Sequence, residues 1–590
     1  MPRSTPGSPS NPSSPLACGR SVRVLAIAAL LSALAACTAP KDRSGEPPRA
    51  MPTPATATQD GCRALAASFA FAGLQLDGAE VVPAGAFKQD AVVTASPEHC
   101  LVKGRMNERR SDVDGETYAI GFEMRLPLAW NGRFFYQANG GIDGVVQPAA
   151  GRLTGGAPRD TALNRGFAVI SSDAGHTGKQ NPWFGLDPQA RLDYGYNAVG
   201  ALTPMSKALI AALYGKPPDR SYIGGCSNGG RHAMVAAARH ADQYDGFLAG
   251  NPGFNLPKAA MAQMYGAQQY AKVARPDEKG QPELASAVTP AEFGLLSRRI
   301  LERCDALDGA RDGMVADTAA CQRAFDLQRD VPTCQGERNG QCLSAAQKEA
   351  IGNVMRGPRN GKGESVYSSF PYDPGISGQN WAFWEFVAAQ RLDPGAAFIF
   401  LTPPIDRRDF MAMGGLRYAL GLDMDKDASR IFATAPGYPV PSMTFMTPPQ
   451  ATRLEGLRRK GGKLLVYHGT ADAVFSFNDT VSWYEALAKS HSGRQSSFAR
   501  LFAVPGMNHC SGGPSADQFD ALEQLVKWVE TGVAPERMVA TVRGAGANLA
   551  NKELPAEWSS TRTRPLCAYP AIARYDGRGD IDMAESFVCK

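Results

Sequence analysis

Residues 221–230 read Ser-Tyr-Ile-Gly-Gly-Cys-Ser-Asn-Gly-Gly and contain Gly225-x-Ser227-x-Gly229. A serine between two such glycines is a candidate nucleophile for acyl transfer, because a strand-to-helix turn that exposes its hydroxyl is too tight for side chains on either flank. With 62 glycines in the chain, roughly one chain in two of this make-up carries the pattern by chance. Context raises it: a short β-branched and aromatic run precedes Ser227, and the good helix former Arg231-His-Ala-Met-Val-Ala-Ala-Ala follows. A structural glycine-rich turn is the bland alternative.

A serine hydroxyl needs a base to take its proton. The chain has seven histidines. Where a nucleophile elbow is used, the chain order is serine, then acid, then histidine, which leaves His491 and His509. His491 lies in a polar Ser-His-Ser-Gly turn, whereas His509 follows a strand-like run in Val-Pro-Gly-Met-Asn-His-Cys, where a loop can swing the imidazole over the serine. Asp472 stands just past the run Lys-Leu-Leu-Val-Tyr of 463–467 and suits the role of orienting acid, with Asp479 a distant second. An oxyanion hole needs two backbone donors. Asn228, after the nucleophile, supplies one; Gly141, in Gln137-Ala-Asn-Gly-Gly141, is favoured for the other, a merely structural turn being the alternative.

These residues require a scaffold that brings 137–141, 227, 472 and 509 to one edge. Between 59 and 252, apolar strand-like runs at 133–137, 167–171, 221–224 and 246–249 alternate with helical patterns, the signature of a mostly parallel sheet covered on both faces. The rhythm lapses over 253–461, which is rich in proline and aromatic clusters such as Trp381-Ala-Phe-Trp384, and reads as an inserted lid domain. It returns over 462–590 with strands at 463–467 and 498–504 and a helix near 516–531. The fold class expected is therefore α/β, an α/β-hydrolase with a large insertion.

The first 36 residues read as an export signal: Arg20 and Arg23, then an apolar run too short to span a membrane, ending Leu-Ala-Ala-Cys37. That ending resembles a bacterial lipobox, so Cys37 is the expected lipidation site and residues 37–58 a flexible tether; an ordinary secretory signal is the alternative. Formal charge is +5, about +2 without the leader arginines, which is too little for a nucleic-acid footprint. Of twelve cysteines, Cys18 and Cys37 belong to the leader, and the even remainder suits disulfides in an oxidising compartment. Zinc is the rival for Cys304, Cys321, Cys334 and Cys342, but no Cys-x-x-Cys spacing supports it. Cys226 precedes the nucleophile and Cys510 follows the base, so a bridge between them is geometrically reasonable if Ser227 and His509 meet.

Together Cys226-Ser227, Asp472 and His509-Cys510 resemble the Cys-Ser, Asp, His-Cys arrangement of the tannase and feruloyl esterase family, over nearly all of the mature chain. The resemblance implies bridges Cys62 to Cys100, Cys226 to Cys510, Cys304 to Cys321, Cys334 to Cys342 and Cys567 to Cys589. It also implies a structural calcium ion in the insertion, held by Asp305, Asp308 and Asp312 with the carbonyls of Ala310 and Met314; from the residues alone, a solvated acidic loop is the ordinary reading. Phe475 matches a family aromatic that packs on the substrate ring, His468, in the matching stretch 467–472, is a further substrate-binding candidate, and Trp384 is a candidate second wall. Arg391 is the nearest match to an arginine that clamps a substrate carboxylate, although the segments on both sides of it are shorter than the family pattern and a surface arginine is the alternative.

The implied function is a monomeric, exported serine carboxylic-ester hydrolase acting on small aromatic acid esters, terephthalate monoester among them. Plant phenolic esters are the alternative substrates. A surface lipoprotein that only binds aromatic ligands is the alternative from outside enzymology.

Overall fold

The computed structural model describes residues 50–88, 94–152 and 160–590. The export leader, Cys37 and the tether as far as residue 49 lie outside them. The described residues all belong to one compact unit, the insertion included.

Nine strands form the central sheet: β1 (Leu74–Val82), β2 (His99–Arg110), β3 (Thr117–Pro127), β4 (Arg133–Gln137), β5 (Ala168–Ser172), β6 (Arg220–Cys226), β7 (Gly246–Gly250), β8 (Lys463–Gly469) and β9 (Ala499–Val504). Their order is β9-β8-β7-β6-β4-β5-β3-β2-β1. From β5 to β9 all neighbours are parallel; β1, β2 and β3 add an antiparallel flank. The alternating rhythm read over 59–252 thus holds only from β4 onward. Before β4 the chain makes a meander of longer strands, whose outer end alternates between buried and exposed residues because one face there meets water.

The parallel strands are apolar at nearly every position because both faces are covered. On β4, Phe134 and Tyr136 enter one core and Phe135 the other; on β8, Leu464 and Val466 oppose Leu465 and Tyr467 in the same way. Helices α1 (Ala198–Tyr214) and α2 (Asn228–Arg239) pack into the first core, and α3 (Ala521–Thr531) into the second. The last helix begins at Ala521 rather than near 516, where Asp520 caps it by accepting from the Glu523 amide.

Between β7 and β8 the chain is mainly helical, with Leu256–Ala271, Pro290–Cys304 and Ala345–Arg356 the longest elements. Its only named strands among the described residues are the two-residue pair Arg275–Pro276 and Pro282–Glu283. A run beginning at Gln379–Ala382 passes through a π-helical turn, Phe383–Ala388, that carries Trp384.

Candidate active site

β6 ends at Cys226, and Ser227 follows at φ 66°, ψ −127°, before α2 starts. A non-glycine residue at such angles costs about 1–3 kcal/mol, a strain that functional sites tolerate when their surroundings impose it. Here the surroundings are specific. A Cβ on Gly225 would lie 2.3 Å from the Ala138 carbonyl oxygen, and one on Gly229 2.4 Å from the same atom. Both glycines are required because the turn closes over the end of β4.

His509 and Asp472 come from the loops after β9 and β8. The His509 Nε2 lies 2.8 Å from Ser227 Oγ, and Nδ1 lies 2.9 Å from Asp472 Oδ2. Asp472 is 1% exposed. Its Oδ1 accepts from the Val474 and Phe475 amides, and its Oδ2 also accepts from the Asn251 side chain at 2.8 Å. Burial by itself would raise this carboxyl, but His509 and His468 hold it well below the usual carboxylate range. It is therefore ionised, as an acid that must stabilise an imidazolium has to be. A serine hydroxyl, imidazole and carboxylate in this chain can transfer the serine proton and make Oγ nucleophilic.

The rival residues lie elsewhere. Nε2 of His491 meets the Arg453 carbonyl, and Asp479 accepts from Asn255 on the helix Phe477–Ser490. His468 is fully buried under Asp472, with Nδ1 against Thr480 Oγ1, Nε2 against the Phe475 carbonyl, and Nε2 3.3 Å from Asp472 Oδ2. It supports the acid from within the protein, and with both ring nitrogens engaged it presents no polar atom to a substrate.

The loop after β4 passes beside the nucleophile: a Cβ on Gly140 would sit 3.8 Å from Ser227 Cβ. Gly141 is exposed at φ 65°, a conformation open to glycine. Neither the Gly141 amide nor the Asn228 amide, at the first position of α2, has an acceptor among the described residues. Two unused donors, on the segments that flank Ser227, can receive a developing oxyanion.

Aromatic rings flank the base. Trp384 meets the His509 imidazole edge to face at 5.1 Å, and Phe475 meets it at 5.4 Å. The insertion also touches the base directly, since the His509 amide donates to Asn380 Oδ1 at 3.2 Å. Arg391 is exposed and has no ion-pair or hydrogen-bond partner among the described residues. In an α-helix Trp384 and Arg391, seven residues apart, would share a face; the π turn over Phe383–Ala388 breaks that period.

All five disulfides implied by the resemblance are present: Cys62–Cys100, Cys226–Cys510, Cys304–Cys321, Cys334–Cys342 and Cys567–Cys589. They remove zinc as a reading of the cysteine cluster, and they mark a chain that folds outside the reducing cytoplasm.

In the acidic loop, Asp308 and Asp312 are buried and Asp305 partly so. Burial, then the charges of Asp312 and Asp305, push Asp308 up to about 7. Arg564 pairs with Asp312 at 2.5 Å, while Arg562 and Arg574 donate to the Asp312 and Leu307 carbonyls. The carbonyls of the buried Ala310 and Met314 accept no hydrogen bond among the described residues. No three acidic, histidine or cysteine groups there already form a metal cluster, because the carboxylates turn toward amides of their own loop. The donor chemistry, hard carboxylate and carbonyl oxygens, nonetheless fits a divalent cation such as calcium.

A strained serine at a strand-turn-helix elbow, bonded through histidine to a buried aspartate at the carboxyl edge of a mostly parallel sheet, defines a serine hydrolase of the α/β-hydrolase fold. The profile described as "Tannase and feruloyl esterase" matches residues 100–590, and the chain belongs to that family; it is a carboxylic ester hydrolase. It is 40% identical over 560 residues to mono(2-hydroxyethyl) terephthalate hydrolase of Piscinibacter sakaiensis, covering 87% of this chain and 89% of that one. It is 28% identical over 488 residues to a probable feruloyl esterase B-1 of Aspergillus fumigatus, covering 79% and 82%. The crystal structure of feruloyl esterase B from Aspergillus oryzae shares the fold, with a TM-score of 0.69 over 90% of this chain and all of that one at 23% identity.

Three groups that hold this site belong to no catalytic motif in the sequence. Asn251, which donates to Asp472, reads as a loop residue after β7. Asp143 and His232, described below, sit in ordinary loop and helix patterns. The i,i+4 spacing of Asn228 and His232 on a helix was the one usable signal.

Proposed function

We propose that this enzyme hydrolyses monoesters of aromatic carboxylic acids through an acyl-enzyme on Ser227. His509 takes the Ser227 proton as Oγ attacks the ester carbonyl carbon, and the Gly141 and Asn228 amides receive the carbonyl oxygen as it becomes an oxyanion. Collapse breaks the bond to the alcohol oxygen, which leaves with the proton held on His509. Water then enters, gives its proton to the same imidazole, attacks the acyl carbon, and releases the acid with Ser227 reprotonated. Asp472 holds the imidazole in the required tautomer and stays ionised throughout.

The observation that carries the aromatic preference is the pair of rings, Trp384 and Phe475, both edge-on to His509. Segment 253–461 serves as the lid that brings Trp384 there. Kinship with the terephthalate monoester hydrolase makes terephthalate monoesters the leading substrates, with the free guanidinium of Arg391 available to a distal carboxylate. The feruloyl esterase relatives keep plant phenolic esters as the second reading. Initial rates on matched terephthalate, ferulate and gallate esters separate the two. A clamp by Arg391 requires Arg391→Ala to lower kcat/KM for terephthalate monoester more than for an uncharged benzoate ester; equal losses would leave the phenolic reading in place.

Two further features complete the proposal. Calcium stabilises the loop through Asp305, Asp308, Asp312 and the carbonyls of Ala310 and Met314. The exported monomer is held at a membrane by a lipid on Cys37, a claim that mass spectrometry of the mature N-terminus tests.

A further inference from the structure

Behind the two hole-forming amides lies a buried polar network that the hydrolytic steps do not use. The Asp143 side chain is 2% exposed, and its Oδ2 accepts from His232 Nε2 at 2.9 Å and from Asn228 Nδ2 at 2.7 Å. Asp143 is two residues past Gly141, and Asn228 is the other hole residue. One carboxylate oxygen therefore joins the loop after β4 to the first turn of α2.

Asn228 Oδ1 accepts from Arg231 Nε at 2.6 Å and from the Tyr194 hydroxyl at 3.0 Å. Arginine can only donate, so Asn228 Oδ1 faces Arg231 and its NH2 turns toward Asp143. His232 stands four residues after Asn228 on the same face of α2. Burial and then the adjacent Arg231 charge push its pKa down, so it is neutral. Its Nε2 faces the Asp143 carboxyl at 2.9 Å with Arg231 Nη2 beside it at 3.3 Å, and Nδ1 has no partner among the described residues. A second imidazole holds the same loop one residue earlier, His176 Nε2 lying 2.9 Å from the Ile142 carbonyl while its ring stacks on Phe184 at 3.6 Å. Asp143 keeps a positive φ of 54° within this grip.

We infer that His232 is a positioning residue of the oxyanion hole, acting through Asp143 to hold the Gly141 and Asn228 amides at the spacing a tetrahedral intermediate needs. This rests on the hydrolytic reading above. Hole donors stabilise charge that develops only in the transition state, so loosening their spacing lowers kcat and spares substrate binding.

The test compares His232→Leu, which removes the donor, with His232→Gln, which can keep an N–H toward Asp143, on one aromatic ester, alongside wild type and Ser227→Ala. With folding checked by melting, His232→Leu should lose about tenfold or more in kcat with KM within about threefold, and His232→Gln should recover most of the loss. If His232→Leu fails to fold, Asp143→Asn reads the same link and should show the same split. Wild-type kcat in a folded variant, a loss confined to KM, or equal losses in the leucine and glutamine variants overturns the proposal. An active Ser227→Ala would instead overturn the reading on which it rests.

Discussion

Cys226 and Cys510 are joined by a disulfide with their Cα atoms 6.1 Å apart, and each is the chain neighbour of one partner in the Ser227–His509 hydrogen bond. The bridge spans 284 residues, so nucleophile and base, delivered by loops on either side of the insertion, are tied by a covalent link one residue from the chemistry. Replacing both cysteines by serine should lower kcat by roughly tenfold or more, because the loop after β9 is then free to move His509 off line. The melting temperature should fall as well, by an amount corresponding to at most roughly 5 kcal/mol in the chain-entropy account. Unchanged kcat would show that packing alone aligns the pair.

Ser227 itself offers a separation of chemistry from stability. Ser227→Ala and Ser227→Gly should each lose about three orders of magnitude or more in turnover. The glycine variant should melt above the alanine variant, because glycine adopts φ 66° without the Cβ penalty. Turnover within tenfold of wild type in either would reject the nucleophile.

The π turn in the insertion and the start of the helix Asp393–Phe400 each bury an acid. Burial, with Asp393 adding to it, raises Glu385 to about 8, and burial raises Asp393 to about 7. The unfolded chain would release these protons near pH 4. Between pH 4 and 8 the folded state therefore binds more protons than the unfolded state, and stability falls as pH rises through 7 and 8. Melts from pH 5 to 9 should show this decline, and Glu385→Gln, which cannot ionise, should flatten it. An unaltered slope in that variant would mean that the decline arises elsewhere.

The calcium site proposed for the acidic loop predicts an effect on stability and not on turnover. Chelation should lower the melting temperature, and added calcium at about one hundred times its Kd should restore about 2.7 kcal/mol. Asp308→Asn should abolish this dependence while leaving kcat within a few fold, since the loop supplies no group to Ser227 or His509. Identical melting curves with calcium and with chelator would reject the site.

Local rules made part of this molecule legible. The two glycines around Ser227, the helix former after it and the strand before it are contiguous, so the elbow is written within ten residues. Asp472 and His509 follow strand-like runs closely enough for chain order to pick them out. Apolar runs on β4 and β6 to β8 announce a sheet buried on both faces, for which strand periodicity needs no partner. The antiparallel flank was missed because register between strands is set by pairing, which one strand does not encode.

What only the tertiary structure decided are the relations between residues far apart in the chain. His468 matches the substrate site by position, yet its two nitrogens are taken by Thr480 and Phe475 once the helix Phe477–Ser490 folds back over β8. Asn251 reaches Asp472 across 221 positions, and Asp143 reaches Asn228 across 85. A sequence states which groups can donate, accept or carry charge. Which of them meet depends on packing, since a hydrogen bond acts over about 3 Å and no local pattern specifies that distance between residues hundreds of positions apart.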